Sequence, residues 1–77
     1  PNSSFSLYPN PANNIISIDY TGEIMQFLVY DINGKLILQK KASQTKSIDV
    51  SKLDRGVYLF EMITSDNKRG VQRFIKE

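Results

Sequence analysis

The chain contains no cysteine, histidine or tryptophan. Without Cys and His there is no thiol nucleophile, no Ser-His-Asp triad and no zinc site built from thiolate and imidazole. An enzyme would have to run on carboxylates, Lys, Tyr or Ser alone, and the sequence shows no such constellation. No disulfide can brace the fold. At 77 residues a domain buries only about 60% of the surface its unfolded chain exposes, so one thin core is expected and no deep catalytic cleft. No apolar run approaches the roughly 18 residues of a membrane span, and nothing resembles a signal peptide. Excess charge is small as well: ten Lys plus Arg stand against eight Asp plus Glu, a net +2, and this names no partner. The lack of cysteine fits the cytosol and equally a secreted domain that does without disulfides.

What is present favours strands. Ile, Val, Tyr, Phe and Thr make up about a third of the chain, whereas Ala occurs twice. Seven short segments lie between turn signals: Phe5 to Tyr8, Ile15 to Tyr20, Ile24 to Asp31, Lys35 to Lys41, Lys46 to Val50, Val57 to Ser65 and Arg69 to Lys76. The breaks are Pro9 to Asn14, Thr21-Gly22, Asn33-Gly34, Ala42-Ser43-Gln44, Asp54-Arg55-Gly56 and Asp66-Asn67. Spacing of about 8 to 12 residues predicts an all-β antiparallel sandwich. Residues 1–4 read as the tail of a linker and 5–77 as one C-terminal module. Ser51-Lys52-Leu53-Asp54 has capping-box spacing and predicts a single helical turn ended by Gly56.

The hairpin at Asp31-Ile32-Asn33-Gly34-Lys35 admits two registers. A two-residue type I′ turn pairs Ile32 with Lys35. A type I turn with Gly34 as a left-handed bulge sets Asp31 opposite Lys35, and this register is preferred because it places Asp where Asp is favoured. Either way both faces of the hairpin carry apolar side chains, Met25, Phe27 and Val29 on one and Leu28, Tyr30 and Ile32 on the other. A sandwich needs only one of these faces buried. Pro9 and Pro11 fix φ and lack a donor, so they end the first strand and hold an extended corner beside Tyr8. Gly34 and Gly56 are expected to supply positive φ. Leu53 and Tyr58 are expected in the core, with the Tyr58 hydroxyl reaching a polar partner. In the last strand, alternation puts Arg73 and Ile75 on one face and Phe74 and Lys76 on the other, with Lys76 expected in solvent.

Four pieces occur in order: Tyr8-Pro9-Asn10-Pro11, Tyr30-Asp31-Ile32-Asn33-Gly34-Lys35, Ile48 to Tyr58 with Leu53, Gly56 and Tyr58, and Arg73-Phe74-Ile75-Lys76. Together, from Phe5 to Lys76, they resemble the C-terminal sorting domain of type IX secretion cargo proteins in the Bacteroidota. Glu77 departs from the pattern, since many relatives stop at or near the basic residue. The resemblance implies an immunoglobulin-like sandwich of seven strands that takes a folded upstream cargo through the periplasm and across the outer membrane, to the surface or the medium. It also implies an outer-membrane translocon and shuttle proteins as partners, a sortase-like peptidase that removes the domain afterwards, and neither an enzyme nor a cofactor.

Other functions fare less well. Lys40, Lys41 and Lys46 flank one loop, and Lys68, Arg69, Arg73 and Lys76 cluster late, but no basic-aromatic nucleic-acid signature accompanies them, and Lys on edge strands discourages edge pairing. Asp31 and Asn33 lack the spacing of an EF-hand loop. The rival from another class is an appended carbohydrate-binding or adhesion module, for which Tyr20 and Tyr30 are the only sugar platform. For the sorting reading, the last strand offers a receptor both a sheet edge for strand addition and an apolar patch rimmed by basic residues.

Overall fold

A computed structural model describes residues 5–41 and 46–77; the turn signal at Ala42-Ser43-Gln44 and the linker tail at 1–4 lie outside them. The strands are β1 (Ser6–Tyr8), β2 (Ile15–Asp19), β3 (Ile24–Asp31), β4 (Leu36–Lys41), β5 (Ser47–Asp49), β6 (Gly56–Thr64) and β7 (Arg69–Lys76). They form two antiparallel sheets, ordered β1-β2-β5 and β4-β3-β6-β7. The chain crosses between sheets after β2, β4 and β5, which gives an immunoglobulin-like sandwich with β4 beside β3. Each expected segment is a strand, within one or two residues at its ends.

Alternation fills the space between the sheets. Ile16 and Ile18 from β2 and Ile48 from β5 meet Phe27 and Val29 from β3, Phe60 and Met62 from β6, and Phe74 from β7. Phe60 lies at the centre, its ring 5.5 Å from Phe27 and 6.0 Å from Phe5. Met25 does not join them. Ile24 pairs with Thr64 and Gln26 with Ile63, so Met25 is the extra residue of a bulge. The bulge breaks the simple alternation of β3, turning Ile24 into the core and leaving Met25 45% exposed.

Both hairpins use one device. The Gly34 N–H donates to Asp31 O at 3.0 Å, and the Asp31 N–H donates to Lys35 O at 2.9 Å, with Gly34 at φ +86°. This is the bulged type I register, and Asp31 Oδ1 fastens it by accepting from the amides of Asn33 and Lys35, each at 2.9 Å. Between β6 and β7 the Asn67 N–H donates to Thr64 O and the Thr64 N–H to Lys68 O, each at 2.9 Å. There Asn67 takes the left-handed position at φ +68°, which Asn tolerates better than most residues.

No helical turn forms at Ser51. The Leu53 N–H donates to Val50 O at 3.0 Å, a β-turn, and the Ser51 N–H donates to Asp49 Oδ1 at 2.8 Å. Asp49, two residues earlier than the capping box suggests, caps the turn. Hydrogen bonds from the Ser51 hydroxyl and then its amide hold the Asp49 carboxyl below its usual value.

Candidate recognition surface

Most of the motif residues fall into two groups that meet at one end of the four-stranded sheet, where the start of β6 pairs with the end of β7, Gly56 opposite Lys76 and Tyr58 opposite Phe74. The first is a corner ahead of β6. Tyr58 lies near the start of β6, and its hydroxyl donates to the Asp54 carbonyl at 2.7 Å, the geometry of a tyrosine corner. Leu53 packs against the core beneath the turn. Gly56 has φ +155°. A Cβ there would meet nothing nearer than Tyr58 Cε2 at 4.0 Å, so the position calls for Gly because of backbone conformation and not for want of space. Burial, followed by the nearby Asp54 and Asp31 carboxylates, pushes the Tyr58 phenol above its usual value.

The second group joins the two ends of the described chain. Tyr8, Pro9, Asn10 and Pro11 lie along the outer edge of β7, and both prolines follow cis peptide bonds. The Ile75 N–H donates to Asn10 Oδ1 at 3.0 Å, while Asn10 Nδ2 makes a long contact of 3.5 Å to the Arg73 carbonyl. The Ala12 N–H then donates to Ile75 O at 2.8 Å and the Glu77 N–H to Ala12 O at 2.9 Å, closing a parallel bridge between Ala12 and Lys76. The Asn10 side chain and the Ala12 backbone thus stand in for an eighth strand over the C-terminal half of β7. Prolines flanking Asn10 suit such a segment, because neither has an N–H to leave unpaired.

Two expectations for the last strand are overturned by this arrangement. Its edge is not free for strand addition from Arg73 onward, since Asn10 and Ala12 already occupy the backbone groups there. Lys76 does not face solvent either: it is 7% exposed, on the core side with Phe74 and opposite Gly56. Its stem is covered, and its Nζ donates to the Glu77 carbonyl at 2.7 Å. Phe74 is fully buried and stacks on Tyr58 at 5.6 Å. Arg73 and Ile75 point outward, Ile75 being 45% exposed. Asp31, Gly34 and Lys35 form the β3–β4 hairpin at the same end of the sheet, Asp31 standing opposite Tyr58, with side-chain hydrogen bonds among the described residues only within the turn.

The other basic residues do not form one surface. Lys46 donates to the Tyr20 carbonyl, Lys68 is 3.7 Å from Asp66, and Arg69 is 2.6 Å from Glu61. The two candidate sugar-stacking rings do not share a platform, because Tyr20 follows β2 in one sheet and Tyr30 belongs to β3 in the other. The Tyr20 ring also covers Gly22, where a Cβ would come within 2.6 Å of it. Beside it is an open hollow of about 280 Å³ lined by Phe5, Ser6, Asp19, Tyr20 and Thr21.

One element of the surface was not singled out from the sequence. Glu61 lies on the outward face of β6 yet is 5% exposed. Its carboxylate accepts from the Tyr30 hydroxyl at 3.1 Å and pairs with Arg69. Burial, then Glu61, raises the Tyr30 phenol above its ordinary value. The register sets Glu61 opposite Leu28 and Val71, so that Tyr30 and Arg69 reach it diagonally from the neighbouring strands, and no local pattern marks it.

Comparison with known proteins identifies the set. A family model described as "Secretion system C-terminal sorting domain" matches residues 6–77. The chain belongs to this family of type IX secretion sorting domains. The family is not one of enzymes, and its members are sorting signals for export across the outer membrane. Among curated proteins the chain is 28% identical over 75 residues to beta-agarase D of Zobellia galactanivorans, which aligns with 97% of this chain and 15% of the agarase. The chain therefore spans under a sixth of that relative's length. Among solved structures, CopC from Methylosinus trichosporium superposes with a TM-score of 0.51 at 15% identity, over 95% of this chain and 91% of CopC. At that identity the likeness extends to the sandwich fold alone. No helix among the described residues is long and apolar enough to cross a membrane.

Proposed function

We propose that this sorting domain is read as a folded surface by an outer-membrane translocon and its shuttle proteins, with an upstream cargo in the same chain, and that a sortase-like peptidase then removes it. The domain passes through the periplasm folded, and the product ends at the cell surface or in the medium. The family match from residue 6 to 77 carries this reading. The agarase, a far longer protein that holds a similar segment, supports a cargo joined to the module. Most of the motif residues serve the folded form: Tyr58 and Gly56 set the corner ahead of β6, Asn10 closes the β7 edge, and Phe74 sits in the core. Arg73 and Ile75 are left on the surface, and they are the recognition residues of the last strand. Lys76 acts through the fold.

The reading is tested by fusing the chain to the C-terminus of a periplasmic reporter in a bacterium with type IX secretion. The reporter is expected outside the outer membrane with the intact domain and inside it when β7 is deleted. Retention in the periplasm with the intact domain refutes the reading. Mass spectrometry of the exported reporter locates the cut, expected ahead of β1; a cut within the strands after Ile15 contradicts processing in a linker.

A further inference from the structure

The outer face of the four-stranded sheet is a surface that the sandwich does not use. Alternation along β6 and β7 sends Val57, Leu59, Ile63, Val71 and Ile75 away from the core, with Val71 51% and Ile75 45% exposed. A contiguous apolar patch on one face is a mark of interaction. Among the described residues the only acidic strand residue on that face is Glu61, and both of its oxygens are engaged, Oε1 by Tyr30 and Oε2 by Arg69. Arg73 stands opposite Leu59, flanked along β7 by outward Val71 and Ile75, and makes no ion pair among the described residues. The face therefore offers one planar cation without an ion pair among the described residues, at the β7 side of an apolar field, with Lys41 away on β4 and the Glu61–Arg69 pair neutralised internally.

We propose that this face binds a protein surface that presents a carboxylate to Arg73 among apolar side chains. This deepens the sorting reading and rests on it. An arginine fork suits bidentate pairing with a carboxylate, and the apolar surroundings strengthen the pairing by excluding water. With the neighbouring β7 edge closed by Asn10 and Ala12, recognition there falls to side chains. A second copy is a poor occupant, because a two-fold contact would set Arg73 against a face bearing Arg69, Lys41 and no free acid. A lipid surface is a poor one as well. Interfacial binders keep their cations on the polar side of the apolar face, whereas Arg73 projects from the same face as Val71 and Ile75, between them along β7.

The test uses the reporter fusion with Arg73→Glu, Arg73→Lys and Val71→Glu. Ile15→Glu is the matched control, 52% exposed on the outside of the other sheet. Melting temperature and oligomeric state are measured on each purified chain. Arg73→Glu and Val71→Glu are expected to cut the exported fraction by at least about tenfold, with Arg73→Lys between them and wild type, Ile15→Glu at wild-type level, and all melting temperatures close to wild type. Wild-type export of the face variants overturns the proposal and leaves the sorting reading standing. Failure of the unmodified fusion removes both. Loss of export that tracks a lowered melting temperature overturns the proposal, as does a dimer that Val71→Glu dissociates or flotation with anionic vesicles that depends on Arg73.

Discussion

Replacing Tyr58 by Phe removes one oxygen and leaves the ring in place. The loss is the hydrogen bond to the Asp54 carbonyl at 2.7 Å, while the stacking on Phe74 at 5.6 Å remains. A hydrogen bond contributes about 0.5–1.5 kcal/mol net, and a carbonyl stranded without a partner adds to the cost. Water can reach part of this corner, so the total should come to about 1–1.5 kcal/mol. Unfolding entropy near 60 °C is about 2.1 cal/mol/K per residue, or about 160 cal/mol/K for this chain, so the melting temperature should fall by about 6–9 °C. Thermal unfolding followed by far-UV circular dichroism reads this directly. A spectrophotometric titration should also lose one late-titrating phenol, because burial holds the Tyr58 proton above its usual pKa. That raised pKa contributes stability fully present below about pH 10 and lost as pH rises through the folded value. An unchanged melting temperature refutes the corner as a stabilising contact. A fall of about 20–30 °C would match the roughly 3–5 kcal/mol of a truncated core aromatic and mean that packing, not the hydroxyl, was disturbed.

Asn10→Ala should accelerate hydrogen exchange at the Ile75 amide, which loses its acceptor, more than at the Phe74 amide on the β6 side; equal rates would show that the edge is not held by this side chain. Lys76→Ala should lower stability by about 1 kcal/mol through lost packing of its stem, with Lys76→Met largely restoring it in a denaturant titration; a neutral Ala variant would place the side chain in solvent. The Asp66 carboxyl is held below its ordinary value chiefly by the Thr64 hydroxyl, and that of Asp49 by Ser51. A depressed folded pKa contributes stability above about pH 4 that disappears as pH falls through it. Melting temperature should therefore drop on acidification below about pH 4, and Asp49→Asn with Asp66→Asn should flatten that limb.

The strands were legible because each is bounded by residues with a backbone reason to stop it, and the bulged β3–β4 turn because Asp31 and Gly34 each favour a particular position in it. Tyr58 was legible as a buried ring with a polar tip. What escaped depends on distant pairing. Asn10 lies 65 residues from Ile75, and its amide mimics backbone, which no local spacing encodes. Alternation places Lys76 on the face of Phe74 but does not reveal that this end of the face is covered, which only the folded chain shows. Met25 fits the alternation of β3 until a bulge shifts the register against Thr64, and Glu61 is covered only because Tyr30 and Arg69 come from neighbouring strands.

The seam between Asn10, Ala12 and β7 has a bearing on when the domain can fold during synthesis. The ribosome delivers Asn10 65 residues ahead of its partner Ile75, so a polypeptide that stops short of Arg69 lacks Phe74 from the core and leaves the outer side of β6 unpaired. Its hydrophobic surface would then mark it for proteolysis instead of presenting a finished sandwich. A domain built this way exists only once translation has passed β7, so a product terminated before β7 presents no finished sandwich to read.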